Sequence, residues 1–203
     1  NGPGAEVSEG SDTTYFIVAD GEGNAVSWIQ SVFHGFGGAF VPPGTGILLN
    51  NRATGFDLDP NSPNLIEPCK RPAHTLNAWT VTNPDGSLRF VGGTPGANIQ
   101  VQTNFQLITQ LIDLKLNVQQ SCEAPRWQHL NGEQSAVETG AGTLQLEARF
   151  GNQVIDELKA KGHEVMVLPD YGHGSSVQLL EVKQNGTLCW GTDVRVDGLA
   201  AGI

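Results

Sequence analysis

Glycine and proline recur so often along this chain, 26 and 11 times in 203 residues, that regular structure has to come in short pieces. Proline interrupts helices and strand ladders, and glycine weakens both while allowing turns that other residues resist. The pattern points to short strands joined by tight turns, with few helices. The length suits one domain of ordinary size. The apolar fraction is 38%, below the usual level for a soluble domain. A chain so turn-rich and lean in apolar residues could rely on a second polypeptide to complete its core.

The formal net charge is −10, and the 11 Lys and Arg residues are scattered without a run. Binding to nucleic acid by phosphate neutralisation is therefore not expected. No stretch approaches the roughly 18 apolar residues that span a bilayer, and no charged-then-apolar signal opens the sequence, so no membrane association is expected. Cys69, Cys122 and Cys189 are odd in number, far apart and without Cys-x-x-Cys or Cys/His ligand spacing. They support neither a disulfide scaffold nor structural zinc, and they favour a reducing, cytoplasmic setting over a periplasmic or secreted one.

Residues 1–12, NGPGAEVSEGSD, hold only two apolar side chains and read as a mobile linker or leader. Order begins abruptly at Thr13. Residues 14–19 form a β-rich run, 20–24 a turn cluster, and 25–30 the returning strand of a hairpin. A glycine-rich stretch leads to Asn51, and residues 54–71 read as an irregular loop. Strands are predicted over 76–82 and 88–91 around the turn Asn83-Pro84-Asp85-Gly86. Past the glycines at 92, 93 and 96, the spacing of Ile99, Phe105, Ile108, Leu111 and Ile112 predicts a helix with one apolar face. Asn117 is placed to cap a short second helix ending near Pro125. The remainder reads strand 143–148, helix 154–161 with Gly162 after its end, strand 164–168, and strands 177–183 and 188–190 around Asn185-Gly186. The fold class is α+β, with one domain over residues 13–203.

The sequence lacks Gly-x-Ser-x-Gly, His-Glu-x-x-His, phosphate-loop and dinucleotide patterns. What stands out is Thr13-Thr14 at the border between the leader and the first strand. A threonine at a free N-terminus carries its own base, because its α-amine, with a pKa near ~8, lies within reach of its hydroxyl. Read alone, though, two threonines at a strand start are ordinary β propensity.

Several segments taken together change that reading. Thr13-Thr14 with residues 16–20 and 23–27, Gly44 to Asn51, Lys70-Arg71-Pro72, Gly92 to Gly96, Glu123 to Arg126, and Asp193 to Gly198 resemble the small catalytic subunit of γ-glutamyltransferases, in order and at similar spacing. The resemblance covers Thr13 to the C-terminus. It implies the four-layer αββα sandwich of N-terminal-nucleophile hydrolases and a precursor that cuts itself before Thr13. It further implies a large subunit from the same precursor as partner, a small-molecule amide as substrate, and neither metal nor organic cofactor. Thr13 takes the place of the nucleophile, and Ser31 that of a threonine whose hydroxyl orients it. Gly96 and Ala97 take the place of a Gly-Gly pair whose backbone N–H groups form the oxyanion hole. A chain that keeps residues 1–12 has no free amine at Thr13 and is expected to be inactive.

The departures fall on the substrate-binding positions. Phe33 stands where the family has asparagine, Arg52 and Gly55 where it has glutamine and aspartate, and His74-Thr75 where it has Ser-Ser. Arg52 suits a carboxylate better than an amine, and Gly55 removes an anionic partner for a substrate ammonium. Ordinary γ-glutamyl recognition is thereby put in question, while acylase activity on glutaryl-type or other amides fits. The alternatives are an inert family member kept as a structural or binding heterodimer, and a stand-alone β-rich binding module.

Overall fold

The computed structural model describes residues 13–130 and 142–202; the expectation of a mobile leader at 1–12 lies outside these residues. Strands β1 (Thr14–Ala19) and β2 (Ala25–Gln30) form the expected hairpin, paired from Thr14↔Gln30 to Ala19↔Ala25. Its turn is closed by the Asp20 carboxylate, which accepts from the amides of Glu22 and Asn24. Four further strands make the central antiparallel sheet in the order β3-β4-β8-β9: β3 (Trp79–Thr82), β4 (Leu88–Gly93), β8 (Gln178–Val182) and β9 (Leu188–Thr192). A second sheet, β5-β6-β7, combines β5 (Trp127–Leu130), β6 (Thr143–Glu147) and β7 (Val165–Leu168). The β6–β7 pair is parallel and is connected through helix α3 (Asn152–Ala160), as a crossover requires.

The two faces of the central sheet are filled differently. On one face, helices α1 (Gln100–Ile112) and α2 (Val118–Glu123) close a core of Phe90, Leu107, Leu111, Val118, Cys122, Val177 and Leu179. Asn117 begins α2 with a reciprocal capping box, its side chain accepting from the Gln120 amide and Gln120 returning the bond. On the other face lies the β1–β2 hairpin, packed over β4 and β8. Helices, sheet and hairpin thus stack as successive layers of an α+β fold.

Three sequence expectations change on folding. Strand β4 runs two residues further than 88–91, because Gly92 and Gly93 pair with Leu179 and Gln178. A side chain at Gly92 would collide with Trp79 and Leu179, and one at Gly93 with the Tyr15 ring. Gly93 thus lets the hairpin close onto the sheet, while Gly92 leaves room for side chains of the flanking strands β3 and β8. Strand β3 starts at Trp79 rather than at 76, since the amide of Asn77 is taken by the Gln100 side chain.

Helix α1 is where predicted, yet its buried face carries Gln100, Thr103, Asn104 and Gln106 beside Leu107 and Leu111, while Phe105 is 63% exposed. The reason is the free edge of β5. Gln102 bonds both backbone groups of His129 (2.7 and 2.9 Å) and Gln106 both of Trp127 (3.1 and 2.8 Å). Two side-chain amides one helical turn apart stand in for a missing strand.

Buried charge fastens the two sheets together. Arg126, 1% exposed, meets Asp193 at 2.5 Å and donates to the Ser175 hydroxyl (2.9 Å) and to the Cys122 carbonyl (2.7 Å). Arg195 forks onto Glu147, from Nε to Oε1 at 2.8 Å and from Nη2 to Oε2 at 2.7 Å, and reaches Asp193 at 3.0 Å. Glu147 ends β6 and Asp193 follows β9, so the two carboxylates tie one sheet to the other through arginine. Burial alone pushes Glu147 up, but Arg195 and Arg149 outweigh it and hold its carboxyl below the ordinary range. The His173 ring sits within this cluster, bonded at Nδ1 to the Ser175 hydroxyl (2.8 Å). Burial, aided by neighbouring Arg126, pushes His173 from 6.5 down to about 4.

A ring kept neutral in the folded protein but protonated in the unfolded chain makes acid favour unfolding. The stability contribution of His173 is whole above about 6.5 and is lost as pH falls from there through about 4. Denaturant midpoints measured across this window are expected to decline with acid in the native protein and less steeply in His173→Asn. Equal slopes would show that His173 is not the titrating group.

Candidate functional site

The hairpin register fixes the first relation. Thr13 and Ser31 directly flank the last pair of the hairpin, Thr14↔Gln30, and both are half-buried. The Ser31 hydroxyl accepts from the amide of Phe33 at 2.9 Å. That bond steadies a backbone conformation unusual for a large side chain, since Phe33 has φ +81°. Thr13 lies two residues before Tyr15, hence on the same side of the strand, and Tyr15 lies against Gly93. The hairpin therefore directs Thr13 toward the face where β4 runs out into Gly96 and Ala97.

Those two residues have an unusual backbone. Gly96 is at φ +133° and Ala97 at φ +47°, before a single 3₁₀ turn (Ala97–Ile99) leads into α1. Among the described residues neither amide has a hydrogen-bond acceptor, whereas the Gly96 carbonyl receives the Ile99 amide at 3.0 Å. The loop is held from behind by Thr94, which is fully buried. Its hydroxyl accepts from the Ser176 amide (3.1 Å) and donates to the Pro95 carbonyl (2.7 Å). Ser176 follows Ser175, so the loop is anchored to the buried charge cluster.

Of the four residues expected at the substrate, three come together. The Arg52 guanidinium lies 4.5 Å over the centre of the Phe33 ring and donates to the Thr75 hydroxyl at 3.1 Å. Thr75 is tied on to Asn77, whose side chain donates to its carbonyl at 2.7 Å, and Asn77 to the buried Gln100 at 3.0 Å. Contacts thus run from Ser31 through Phe33, Arg52, Thr75 and Asn77 to the start of α1, just past Ala97. His74 does not join them: it is exposed, and its Nδ1 accepts from the Leu76 amide at 3.2 Å. Gly55 is occluded, since a Cβ there would lie 3.0 Å from the Ala73 carbonyl, and its own carbonyl accepts from the Asn64 side chain.

Several members of this arrangement were not singled out from sequence. His34 stacks on Phe33 at 4.3 Å, and Asn51 donates to its Nδ1 at 3.0 Å. Asn51 belongs to a notable Leu-Leu-Asn-Asn run, but its partner 17 residues earlier is not signalled. Asn77 and Gln100 are 23 residues apart and Thr94 and Ser176 are 82 apart, so no local pattern could have linked them.

With this geometry in hand, comparison with known proteins is informative. The family profile of gamma-glutamyltranspeptidase matches residues 2–203. The chain is 40% identical, over 198 residues and 96% of its length, to the glutathione hydrolase-like YwrD proenzyme of Bacillus subtilis (strain 168), of which it spans only 36%. The cephalosporin acylase from Bacillus halodurans superposes with a TM-score of 0.81 at 36% identity, covering 97% of this chain and 36% of that one. The gamma-glutamyltranspeptidase from Pseudomonas nitroreducens complexed with L-DON gives 0.75 at 27% identity, covering 94% of this chain and 99% of that one. These likenesses define the fold class as the αββα sandwich of N-terminal-nucleophile hydrolases. The chain belongs to the gamma-glutamyltranspeptidase family. It spans about a third of the length of the curated relatives it matches.

The contact between hairpin and loop strand is testable. A Cβ at Gly93 would fall 2.6 to 2.8 Å from three Tyr15 ring carbons. Gly93→Ala is expected to destabilise the protein by about 1–3 kcal/mol through overpacking, measured by urea unfolding of the purified protein. Unchanged stability would mean the hairpin is not seated on β4.

Proposed function

We propose that this chain is the nucleophile-bearing part of an amidohydrolase or acyltransferase that cleaves a γ-glutamyl or related acyl amide through an acyl-Thr13 intermediate. The observation that carries the reading is the packing of the hairpin on β4: Tyr15, two residues after Thr13, lies against Gly93, three residues before Gly96, and the amides of Gly96 and Ala97 have no acceptor among the described residues. The free α-amine of Thr13 takes the proton of its hydroxyl as Oγ attacks the substrate carbonyl carbon. The carbonyl oxygen becomes an oxyanion stabilised by the two amides, a contribution worth about 10²–10³ in rate per donor. Collapse breaks the C–N bond, the ammonium returns its proton to the leaving amine, and the acyl group stays as an ester on Thr13. Water or a second amine then attacks that ester, giving hydrolysis or transfer. Ser31 acts as a positioning residue for the nucleophile.

The free amine has to be made, because Thr13 lies inside the sequence. The same hydroxyl attacking the carbonyl of residue 12 would move that peptide bond onto Oγ as an ester, and water would release a chain beginning at Thr13. Two findings support such a division. Relatives named proenzymes are matched over about a third of their length, whereas a solved transpeptidase chain is matched over 99% of its length.

A large subunit from the same precursor is the proposed partner. The outer face of the hairpin carries Phe16 paired with Trp28 and Val18 paired with Val26, each between 42% and 56% exposed. Four large apolar side chains in one contiguous patch call for a covering layer, and the fourth layer of the sandwich would supply it.

Intact mass and N-terminal sequencing of the full precursor after incubation at neutral pH test the proposal. The native protein is expected to yield a chain starting at Thr13 beside a separate large fragment and to turn over an amide. Thr13→Ala is expected to stay uncut and inactive. Amide turnover by Thr13→Ala would overturn the acyl-threonine reading.

A further inference from the structure

The proposed site carries a positive charge that no described residue balances. Among the described residues no carboxylate pairs with Arg52. Of its five N–H donors, one from Nη1 goes to Thr75, while Nε is buried without a partner. The three arginines of the buried cluster, by contrast, are paired: Arg126 with Asp193, Arg149 with Glu147, and Arg195 with both acids. Partial burial holds the Arg52 pKa below its ordinary value, and no anion offsets the desolvation.

The surroundings are arranged to keep that charge unsatisfied and in place. Phe33 supports the guanidinium from below at 4.5 Å, a cation–π contact that fixes its position without using its N–H groups. The ring is held there by a left-handed backbone that costs about 1–2 kcal/mol for a non-glycine residue, the kind of local strain that collects at ligand sites. His34 also stacks on the Phe33 ring, and its Nδ1 accepts from the Asn51 side chain. Among the described residues no carboxylate is paired with Phe33, Arg52 or Thr75 to receive an ammonium. A side chain on Gly55 would press on the Ala73 carbonyl, and the nearest acids in sequence, Asp57 and Asp59, cap the amides of Asp59 and Asn61.

From these contacts we propose that Arg52, backed by Phe33 and Thr75, is the specificity-determining residue for the acyl group, selecting half-amides of dicarboxylic acids whose free end is a carboxylate and which carry no ammonium. The inference rests on the acyl-Thr13 reading and names the substrate class of that site. A carboxylate would complete the fork that Thr75 leaves open, with two parallel charge-assisted bonds. An acyl group bearing an α-ammonium would bring a second cation beside Arg52 with no counter-charge. Reach favours a short acyl chain: Ser31, which with Thr13 flanks the last hairpin pair, is separated from Phe33 by two residues, at most about 7 Å of extended chain.

The experiment compares the processed protein and its Arg52→Gln and Arg52→Lys variants on three p-nitroanilides: glutaryl, γ-glutamyl and butyryl. The native protein is expected to favour glutaryl over both others. In Arg52→Gln the glutaryl-to-butyryl ratio of kcat/KM is expected to fall roughly 10- to 100-fold, the loss of a charge-assisted pair. Arg52→Lys, which keeps the charge but not the fork, should fall between. In parallel, glutarate is expected to raise the Tm of the native protein and to lose that effect in Arg52→Gln. A native preference for the γ-glutamyl amide, or an Arg52→Gln protein with unchanged ratio and unchanged glutarate response, would overturn the proposal. Failure of the acyl-threonine reading looks different: no amide is turned over and Thr13 gains no acyl mass, while the glutarate response still reports on Arg52.

Discussion

The architecture depends on a knot of buried charge. Glu147 and Asp193, both inaccessible, are shared among Arg126, Arg195 and Arg149, and these residues come from three separate stretches of chain, around 126, 147–149 and 193–195. Such a cluster is a poor source of net stability, because desolvating each ion costs several kcal/mol. Its value lies in geometry. Removing one partner strands another charge in the interior, so the strands that carry these residues have only one mutual arrangement. Each arginine also takes a carbonyl at the end of α2, Arg126 that of Cys122, Arg149 that of Glu123 and Arg195 those of Cys122 and Ala124, so the same knot ends a helix and joins two sheets.

From that knot the site is suspended by a short series of bonds. Ser175 touches Arg126, the next amide grips Thr94, and Thr94 grips the carbonyl of Pro95, one residue before the left-handed pair Gly96-Ala97. On the other side, Gln100 at the head of α1 holds Asn77, and the contacts continue to Arg52 and Phe33. Neither half of the site stands on a free loop. The proposed oxyanion role of the Gly96 and Ala97 amides would call for donors fixed before the charge appears, and anchoring from behind through Thr94 is consistent with that role.

Strong local signals in the sequence were read correctly because they need no distant partner. The hairpin of residues 14–30 follows from alternating β-branched and aromatic residues around an Asp-Gly turn, and its ends agree to the residue. The capping box at Asn117 and the glycine after α3 at Gly162 mark helix ends by backbone chemistry alone. Where expectation and structure part, a side chain from elsewhere intervenes. The buried face of α1 is amide-rich because β5 needs an edge, and β5 itself, carried by residues 127–130, gave no signal of its own. Gly92 and Gly93 extend a strand because Trp79, Leu179 and Tyr15 take the room a Cβ would fill.

By itself, then, the sequence determined the α+β class, the hairpin that begins next to Thr13, and the family to which the chain belongs. Tertiary structure decided which of those residues meet. Phe33, Arg52 and Thr75 converge while His74, adjacent to Thr75, turns to its own backbone. The physical reason is one of range. Turns, caps and strand propensities act over a few residues and are written locally. The unpaired charge of Arg52 and the paired charges of Arg126 and Arg195 depend on backbones brought side by side across 23 to 67 residues, which only the closed fold supplies.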